Sequence, residues 1–417
     1  MSKLLIKGGS SLRGEYRVKA AKNAVLPIIA ASLLTNEKCE IENVPNITDI
    51  NNMLKIMRSL GANVSFEESV IEIESKEPLR FSVPTELAKE LRSSVFLLGP
   101  VLARIGKAAV AYPGGCDIGV RPLDIHIKGL QEMGIAVEES HGVIYCDATR
   151  LKGADIMLDF PSVGATENLM MVASLAKGRT RIRNAAKEPE ITDLQNFINA
   201  MGGKVSGAGG STIVIDGVKE LHGCHYRPIP DRIVAGTLLI AAATCGGKIS
   251  LFDSQPEHIE PLLFKLSKSS CVLDVRSDKI TLIAERRGRN FDKLETQPYP
   301  GFPTDLQSPM MTLMAVSEGT GVIVENIFET RFRIVRELIK MGARITVKDR
   351  TAIVRGVKDL EGAAVSAGDL RGGAALVIAG MKAEGYTTIE NARHIDRGYE
   401  RIEDIMNDFG ADIKRLQ

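Results

Sequence analysis

The chain has 417 residues, 44% of them hydrophobic and 25% charged, with 53 Lys and Arg against 52 Asp and Glu. That length allows two or three domains, and the balanced charge excludes a global field that would draw the chain to nucleic acid or to an anionic membrane. Aromatic residues make up 5% and Trp is absent, which excludes a base-stacking platform, so any anion site has to come from local placement of charge.

The first residues, MSKLLIKGG, are too short in their apolar part for a signal peptide. The stretch from Ala24 to Leu34 is among the longest apolar runs, and it falls short of the roughly 18 residues that span a bilayer. A cytoplasmic protein is expected, with no membrane and no nucleic-acid partner. Six cysteines, at 39, 116, 146, 224, 245 and 271, form no CxxC pair, so no disulfide framework is expected and most should sit as small hydrophobes. His222-Gly-Cys224-His225 lacks the paired spacing of structural zinc sites, and no metal is predicted. Without a GxGxxG or Walker-type loop, no nucleotide cofactor is predicted either. GAGGS at 207–211 reads as a hairpin turn.

One pattern recurs six times along the chain. Each copy opens with an apolar helix: KNAVLPIIAASLL, RSSVFLLGPVLARIG, GATENLMMVASLAKG, RIVAGTLLIAAATCG, DLQSPMMTLMAVSEG and RGGAALVIAGMKAEG. Their opening residues are Lys22, Arg92, Gly164, Arg232, Asp305 and Arg371, spaced 70, 72, 68, 73 and 66 apart. Short β-branched segments follow (CEIENV, AAVAYP, TRIRNA, KISLFD, GVIVEN, TTIENA), four of them ending in Asn43, Asn184, Asn326 or Asn391, as suits a turn. A second helix comes next, with Leu, Ile and Met at three- and four-residue steps. It stops at Gly61, Gly134, Gly202, Gly342 or Gly410, the expected left-handed cap. The fourth copy, LLFKLSKSS, lacks that Gly. A hairpin completes each copy except the last, which ends at ADIKRLQ one strand short; SKLLIKGG at the N-terminus is expected to supply it.

Six βα units are too large for a thin solenoid. Grouped by threes, with a break near Tyr226-Arg-Pro-Ile-Pro230, they predict one domain over 22–229 and a second over 1–21 plus 230–417, with a cleft between them. Four of the six openers are cationic and one is acidic. Helix N-termini favour anions through unpaired N–H groups and the helix dipole, so a polyanionic substrate is expected.

Tyr112-Pro-Gly-Gly-Cys-Asp-Ile-Gly-Val-Arg-Pro122 departs from its repeat. Three glycines between prolines suit a mobile lid over about 112–122, and it carries a thiol, Cys116, and a guanidinium, Arg121.

The segments AKNAVLP, PGGCDIGVRPLDIH, FPSVGATEN, EPEITDL, YPGFPTDLQ, ENIFETRF, DLRGGAALV and DRGYERI resemble the UDP-N-acetylglucosamine 1-carboxyvinyltransferase family, and the resemblance runs from Leu5 to the C-terminus. It implies an α/β fold, a two-domain inside-out α/β barrel with three βα repeats and threefold pseudosymmetry in each domain. It also implies the reaction: enolpyruvyl transfer from phosphoenolpyruvate to the 3-hydroxyl of UDP-N-acetylglucosamine, releasing phosphate, without a cofactor. By the same resemblance Cys116 is the proton donor and the target of fosfomycin, and Asp305 is the base, with Lys22 and Arg397 completing the catalytic set. Lys22, Asn23, Cys116, Arg121, Arg371 and Arg397 would contact phosphoenolpyruvate. Arg92, Arg121, Pro122, Leu123, Asp124, Ile125, Ser162, Val163, Gly164, Asp305 and Ile327 would contact the sugar nucleotide. Glu188, Glu190, Arg232 and Arg331 would orient substrate. Asp305 in TDLQ equally fits a helix cap. Ala21 and Phe160 depart from the residues common at those places in the family, Gly and Lys respectively. Alternatives are a 5-enolpyruvylshikimate-3-phosphate synthase-like transferase, which the lid cysteine speaks against, and a silent sugar-nucleotide-binding paralogue.

Overall fold

Helices that are apolar on every face must be buried on every face, and the repeat helices are. In the computed structural model, which describes residues 2–76, 79–112, 114, 123–284 and 287–416, Lys22–Ala31 is buried at nine of its ten positions and Gln307–Val316 at all ten. The described residues divide into a unit of 20–112, 114 and 123–229 and a unit of 2–19 and 230–416. In the first, Leu98–Ile105 packs on Lys22–Ala31 and on Val163–Ser174. In the second, Arg232–Cys245, Gln307–Val316 and Leu370–Lys382 pack pairwise on one another. Each buried Leu, Ile or Met there stabilises the fold by about 1.5–3 kcal/mol relative to exposure. Sheets lie outside the helices, an inside-out α/β barrel in each unit.

Among the described residues there are six sheets, five of four strands and one of three. The five four-stranded sheets follow one plan. In the fifth copy Thr320–Val324 pairs parallel with Lys293–Glu295 and antiparallel with Thr351–Arg355, which pairs antiparallel with Arg344–Lys348. The parallel edge strand normally comes from just before the copy's own central helix, as Asp155–Met157 does for the third copy. Two copies exchange theirs. Leu12–Arg17, ahead of the Lys22 helix, pairs with Gly247–Phe252 of the fourth copy. His225–Tyr226, ahead of the Arg232 helix, pairs with Cys39–Ile41 of the first. The chain therefore passes between units at 19–20 and 229–230. The repeat pattern gives no sign of this exchange, because edge-strand partners are chosen by chain path and not by local periodicity.

The N-terminal strand does complete the sixth copy. Lys3–Lys7 runs antiparallel to both Tyr386–Glu390 and Asp412–Leu416, with Leu4 opposite Ile389 on one side and Arg415 on the other.

The helix-ending glycines all have positive φ: Gly61 106°, Gly134 82°, Gly202 91°, Gly342 90° and Gly410 94°. In the fourth copy Ser270 takes the same conformation at φ 71°, so the geometry survives where the sequence signal does not. The corner after the strand is left-handed at Asn43, Asn184 and Asn391, and at Asp253 in the fourth copy, but not at Asn326. Asn and Asp tolerate that region better than other side chains. GAGGS is the expected turn between Val205–Ser206 and Thr212–Asp216. Cys39, Cys146 and Cys245 are buried, while Cys224 and Cys271 are partly exposed; all five are free thiols. No helix among the described residues is long and apolar enough to cross a membrane.

Candidate active site

In the 230–416 unit the chemistry collects around one carboxylate. Thr304–Leu306 forms a short 3-10 turn leading into Gln307–Val316, and Pro303 holds the position before that turn. Asp305 thus lies inside the turn, and the cap reading of TDLQ is not what the structure adopts. Its side chain reaches two guanidinium groups. Arg371 Nη2 lies 3.0 Å from Oδ2, and Arg331 Nη2 bonds Oδ1. The side chains of Arg331 and Arg371 are 2% and 4% exposed, whereas that of Asp305 is 24% exposed. Burial opposes the charge on Arg371, but Asp305, Tyr399 and Asp231 outweigh it and raise its pKa. Arg371 is therefore a permanent cation.

These groups are braced from behind. Arg371 Nη1 donates to the Tyr399 hydroxyl at 3.1 Å, which lies 2.8 Å from Thr237 Oγ1. Arg331 Nε donates to Thr304 Oγ1 at 3.2 Å, and Thr304 donates to buried Glu325 at 3.1 Å. Glu325 Oε1 also accepts the N–H groups of Ile327 (2.8 Å) and Phe328 (3.0 Å), which sets the Ile327 backbone. Asp369 caps Leu370–Lys382 by accepting from the N–H groups of Arg371 and Gly372. Asp231 does the same for Arg232–Cys245. Both caps directly precede, or nearly precede, a cationic opener, a signal that was present in DRI and DLRG. Arg232 lies over the Tyr299 ring at 5.6 Å. Arg397 ends the 3-10 stretch Ala392–Arg397, two residues before Tyr399.

In the 20–229 unit, Lys22 opens its helix and is buried, with Nζ 2.6 Å from Asp49 Oδ2. Asp49 sits in the first turn of Thr48–Leu60, a partner that the spacing did not reveal. Removing one side of a buried ion pair costs about 3–5 kcal/mol. Asn23 follows, partly exposed. Arg92 begins a 3-10 stretch, Arg92–Leu97, and the α-helix proper starts at Leu98.

Ser162 caps Val163–Ser174 by accepting from the Ala165 N–H at 3.3 Å. Gly164 is thus the second helical residue. A Cβ there would lie 3.3 Å from both His126 Cε1 and Phe96 Cε1, so glycine lets the first helical turn approach a buried imidazole. His126 itself escaped the sequence reading, which stopped one residue earlier at Ile125. Its Nδ1 lies 3.0 Å from Asn168 Nδ2. The Asn168 amide is oriented by its oxygen accepting from the Gly99 N–H (2.9 Å), so Nδ1 accepts and Nε2 carries the proton. Burial, then the charge of Arg92, pushes the His126 pKa down to about 4. It is a neutral donor beside the anion-favouring end of a helix. Leu123 is buried and Asp124 is exposed at the start of Asp124–Glu132, with Ile125 between these extremes.

Glu190 is buried in the first turn of Pro189–Ala200, and Glu188 precedes that helix. Glu167, fully buried on Val163–Ser174, finds no hydrogen-bond partner among the described residues. Burial first, then the charges of Glu190 and Glu188, raise its pKa well above the usual carboxylate value. Of the lid, Tyr112 and Gly114 are described; Cys116, Arg121 and Pro122 lie outside the described residues.

The structure therefore joins Asp305, Arg331 and Arg371 in one unit, and in the other sets Gly164 against His126. In that second unit, Glu40, Glu42 and His225 bring ligand atoms within 4.8 Å of one another on the sheet surface. His225 Nε2 is 2.8 Å from Glu42, and Cys224 takes no part in this group.

The profile of the EPSP synthase (3-phosphoshikimate 1-carboxyvinyltransferase) family matches residues 6–406. UDP-N-acetylglucosamine 1-carboxyvinyltransferase 2 of Caldanaerobacter subterraneus subsp. tengcongensis is 49% identical over 416 residues, covering 100% of both chains. UDP-N-acetylglucosamine 1-carboxyvinyltransferase of Halorhodospira halophila is 46% identical over 417 residues, again with 100% of both covered. Among solved structures, the enolpyruvyl transferase NikO from Streptomyces tendae is similar with a TM-score of 0.89 at 24% identity, covering 100% of this chain and 99% of that one. EPSP synthase from Acinetobacter baumannii gives 0.76 at 16% identity, with 100% of both covered. Likenesses at such low identity speak for the fold alone.

Proposed function

We infer that this chain, which belongs to the enolpyruvyl transferase family, transfers the enolpyruvyl group of phosphoenolpyruvate to the 3-hydroxyl of UDP-N-acetylglucosamine and releases phosphate, a committing step of peptidoglycan synthesis. The observation that carries this reading is identity of 46–49% along the whole chain to relatives named for that activity.

The reaction requires three things of the residues. Cys116 is assigned the proton that goes to the methylene carbon of the enol; a thiol with a pKa of about 8.5 is mostly protonated at neutral pH. The cation so formed at C2 is attacked by the sugar hydroxyl, whose proton Asp305 is assigned to accept. Loss of phosphate and of a proton from the methyl group then restores the double bond in the product. Lys22, Asn23, Arg121, Arg371 and Arg397 are assigned to the carboxylate and phosphate of phosphoenolpyruvate, since a guanidinium grips such groups at two points. Arg92, Arg121, Pro122, Leu123, Asp124, Ile125, Ser162, Val163, Gly164, Asp305 and Ile327 are assigned to the sugar nucleotide. His126 joins them as a neutral N–H donor beside Gly164. Fosfomycin would alkylate the Cys116 thiolate, and the cytoplasm is the expected compartment.

Phosphate release from phosphoenolpyruvate with UDP-N-acetylglucosamine or 3-phosphoshikimate as acceptor tests the reading. Release with the sugar nucleotide alone is expected. Release with 3-phosphoshikimate alone would replace this reading by the second transferase class, and release with neither would favour a silent binding protein. Mass spectrometry of the fosfomycin-treated chain should place the label on Cys116 and find none in Cys116→Ala; labelling that persists in the variant would mean another thiol is the target.

A further inference from the structure

Arg415 stands one residue from the end of the described chain, in the strand Asp412–Leu416 that pairs with Lys3–Lys7. Its guanidinium has five N–H donors in a planar fork, and all five are spent within the unit. Nε and Nη2 donate to Glu403 Oε1 and Oε2 at 2.8 and 2.9 Å. Nη2 and Nη1 donate to Asp396 Oδ1 and Oδ2 at 2.7 and 2.9 Å. Nη1 donates further to Ser2 Oγ at 2.7 Å. Two carboxylates are each held at two points by one side chain, which ties the 3-10 stretch Ala392–Arg397 to the helix Ile402–Asp408. No donor is left over for a substrate anion.

What this clamp holds is the residue next to Arg397. Asp396 directly precedes it. On the other side, Gly398 lies so close to Leu370 that a Cβ would come within 2.7 Å of its Cδ2. Tyr399, one residue further, holds Arg371 at 3.1 Å. The stretch 396–399 is thus fixed at its first residue by Arg415 and at its last by the Arg371 network, with Arg397 between the two anchors.

We propose that Arg415 is a positioning residue for Arg397: it sets the backbone from which Arg397 reaches phosphoenolpyruvate, and it does so without touching substrate. The proposal rests on the reading of Arg397 as a ligand of that substrate. Lysine keeps the charge at 415 but cannot make two bidentate forks, and Asn at 396 keeps the shape but accepts from the fork with one oxygen only.

The test is steady-state kinetics on the full chain for Arg415→Lys, Asp396→Asn, Arg397→Lys, Arg397→Ala and the double variant Arg397→Lys/Arg415→Lys, with thermal midpoints measured alongside. The expected result is a KM for phosphoenolpyruvate raised about tenfold in Arg415→Lys and in Asp396→Asn, because small misplacements of a gripping group are costly. The KM for UDP-N-acetylglucosamine should not move. The double variant should lose less than the product of the single losses measured for Arg415→Lys and Arg397→Lys. A lowered thermal midpoint with an unchanged KM for phosphoenolpyruvate in both Arg415→Lys and Asp396→Asn would overturn the proposal and leave Arg415 a purely structural brace. An unchanged KM in Arg397→Ala would overturn the reading of Arg397 itself, and the proposal with it.

Discussion

Arg371 and Asp305, 66 residues apart in sequence, meet with Nη2 3.0 Å from Oδ2. The pairing makes Asp305 serve two ends that separate on mutation. Asp305→Ala strips Arg331 and Arg371 of a shared counter-charge and should destabilise the chain by about 3–5 kcal/mol. Asp305→Asn keeps the shape and part of the hydrogen bonding but cannot take a proton. It should lose less stability while phosphate release falls by about 10²–10⁴-fold, the range of a lost general base. Thermal denaturation and the phosphate assay on the two variants check this, and near-normal turnover in Asp305→Asn would remove Asp305 from the role of base.

His126 should imprint its titration on stability. Its pKa falls from 6.5 unfolded to about 4 folded, so between those values the unfolded chain binds the extra proton. Its contribution is complete above pH 6.5 and is lost as pH falls toward 4, a change of roughly 3 kcal/mol. Asp193 has the opposite sign. Burial raises it to about 6, against the hydrogen bonds from Tyr226 and Ile229. Its contribution is complete below its unfolded pKa near 3.8 and is lost as pH rises through 6. Urea denaturation at pH 4.5 and 7 should therefore show a smaller acid loss in His126→Gln than in the native chain.

Ser270 occupies a left-handed position, φ 71°, that glycine fills in the other helix-ending turns. An L-residue pays about 1–2 kcal/mol there. Ser270→Gly should raise the melting temperature by roughly 2–4 °C for a unit of this size. Gly342→Ala is the converse test. A Cβ at Gly342 would meet nothing within 4 Å, so only backbone strain acts, and a fall of similar size is expected.

Gly164→Ala places a Cβ 3.3 Å from His126 and Phe96. The crowding should cost about 1 kcal/mol of stability. It should also weaken binding of UDP-N-acetylglucosamine in calorimetric titration while leaving the KM for phosphoenolpyruvate unchanged. Unaltered nucleotide affinity would detach this helix turn from the substrate.

Much of the architecture is legible in the residues because it is periodic. All-apolar helices, glycines that tolerate positive φ, and β-branched strands are local preferences, each written where it acts. They announce six copies, the burial of Gln307–Val316 on every face, and even the strand lent by SKLLIKGG, since a copy visibly lacks one. Among the candidate site residues, the charged openers Lys22, Arg232 and Arg371 stand out for the same reason.

The tertiary structure decided the pairings. That Leu12–Arg17 crosses to the fourth copy and His225–Tyr226 to the first, that Asp305 answers Arg331 and Arg371 rather than capping its own helix, that Asp49 pairs with Lys22, and that burial against Gly164 favours the uncharged form of His126 all depend on groups brought together from tens or hundreds of residues apart. Sequence periodicity encodes which face of an element is buried. Which charge meets which, and how strongly in a medium stripped of water, is set only when the chain path closes.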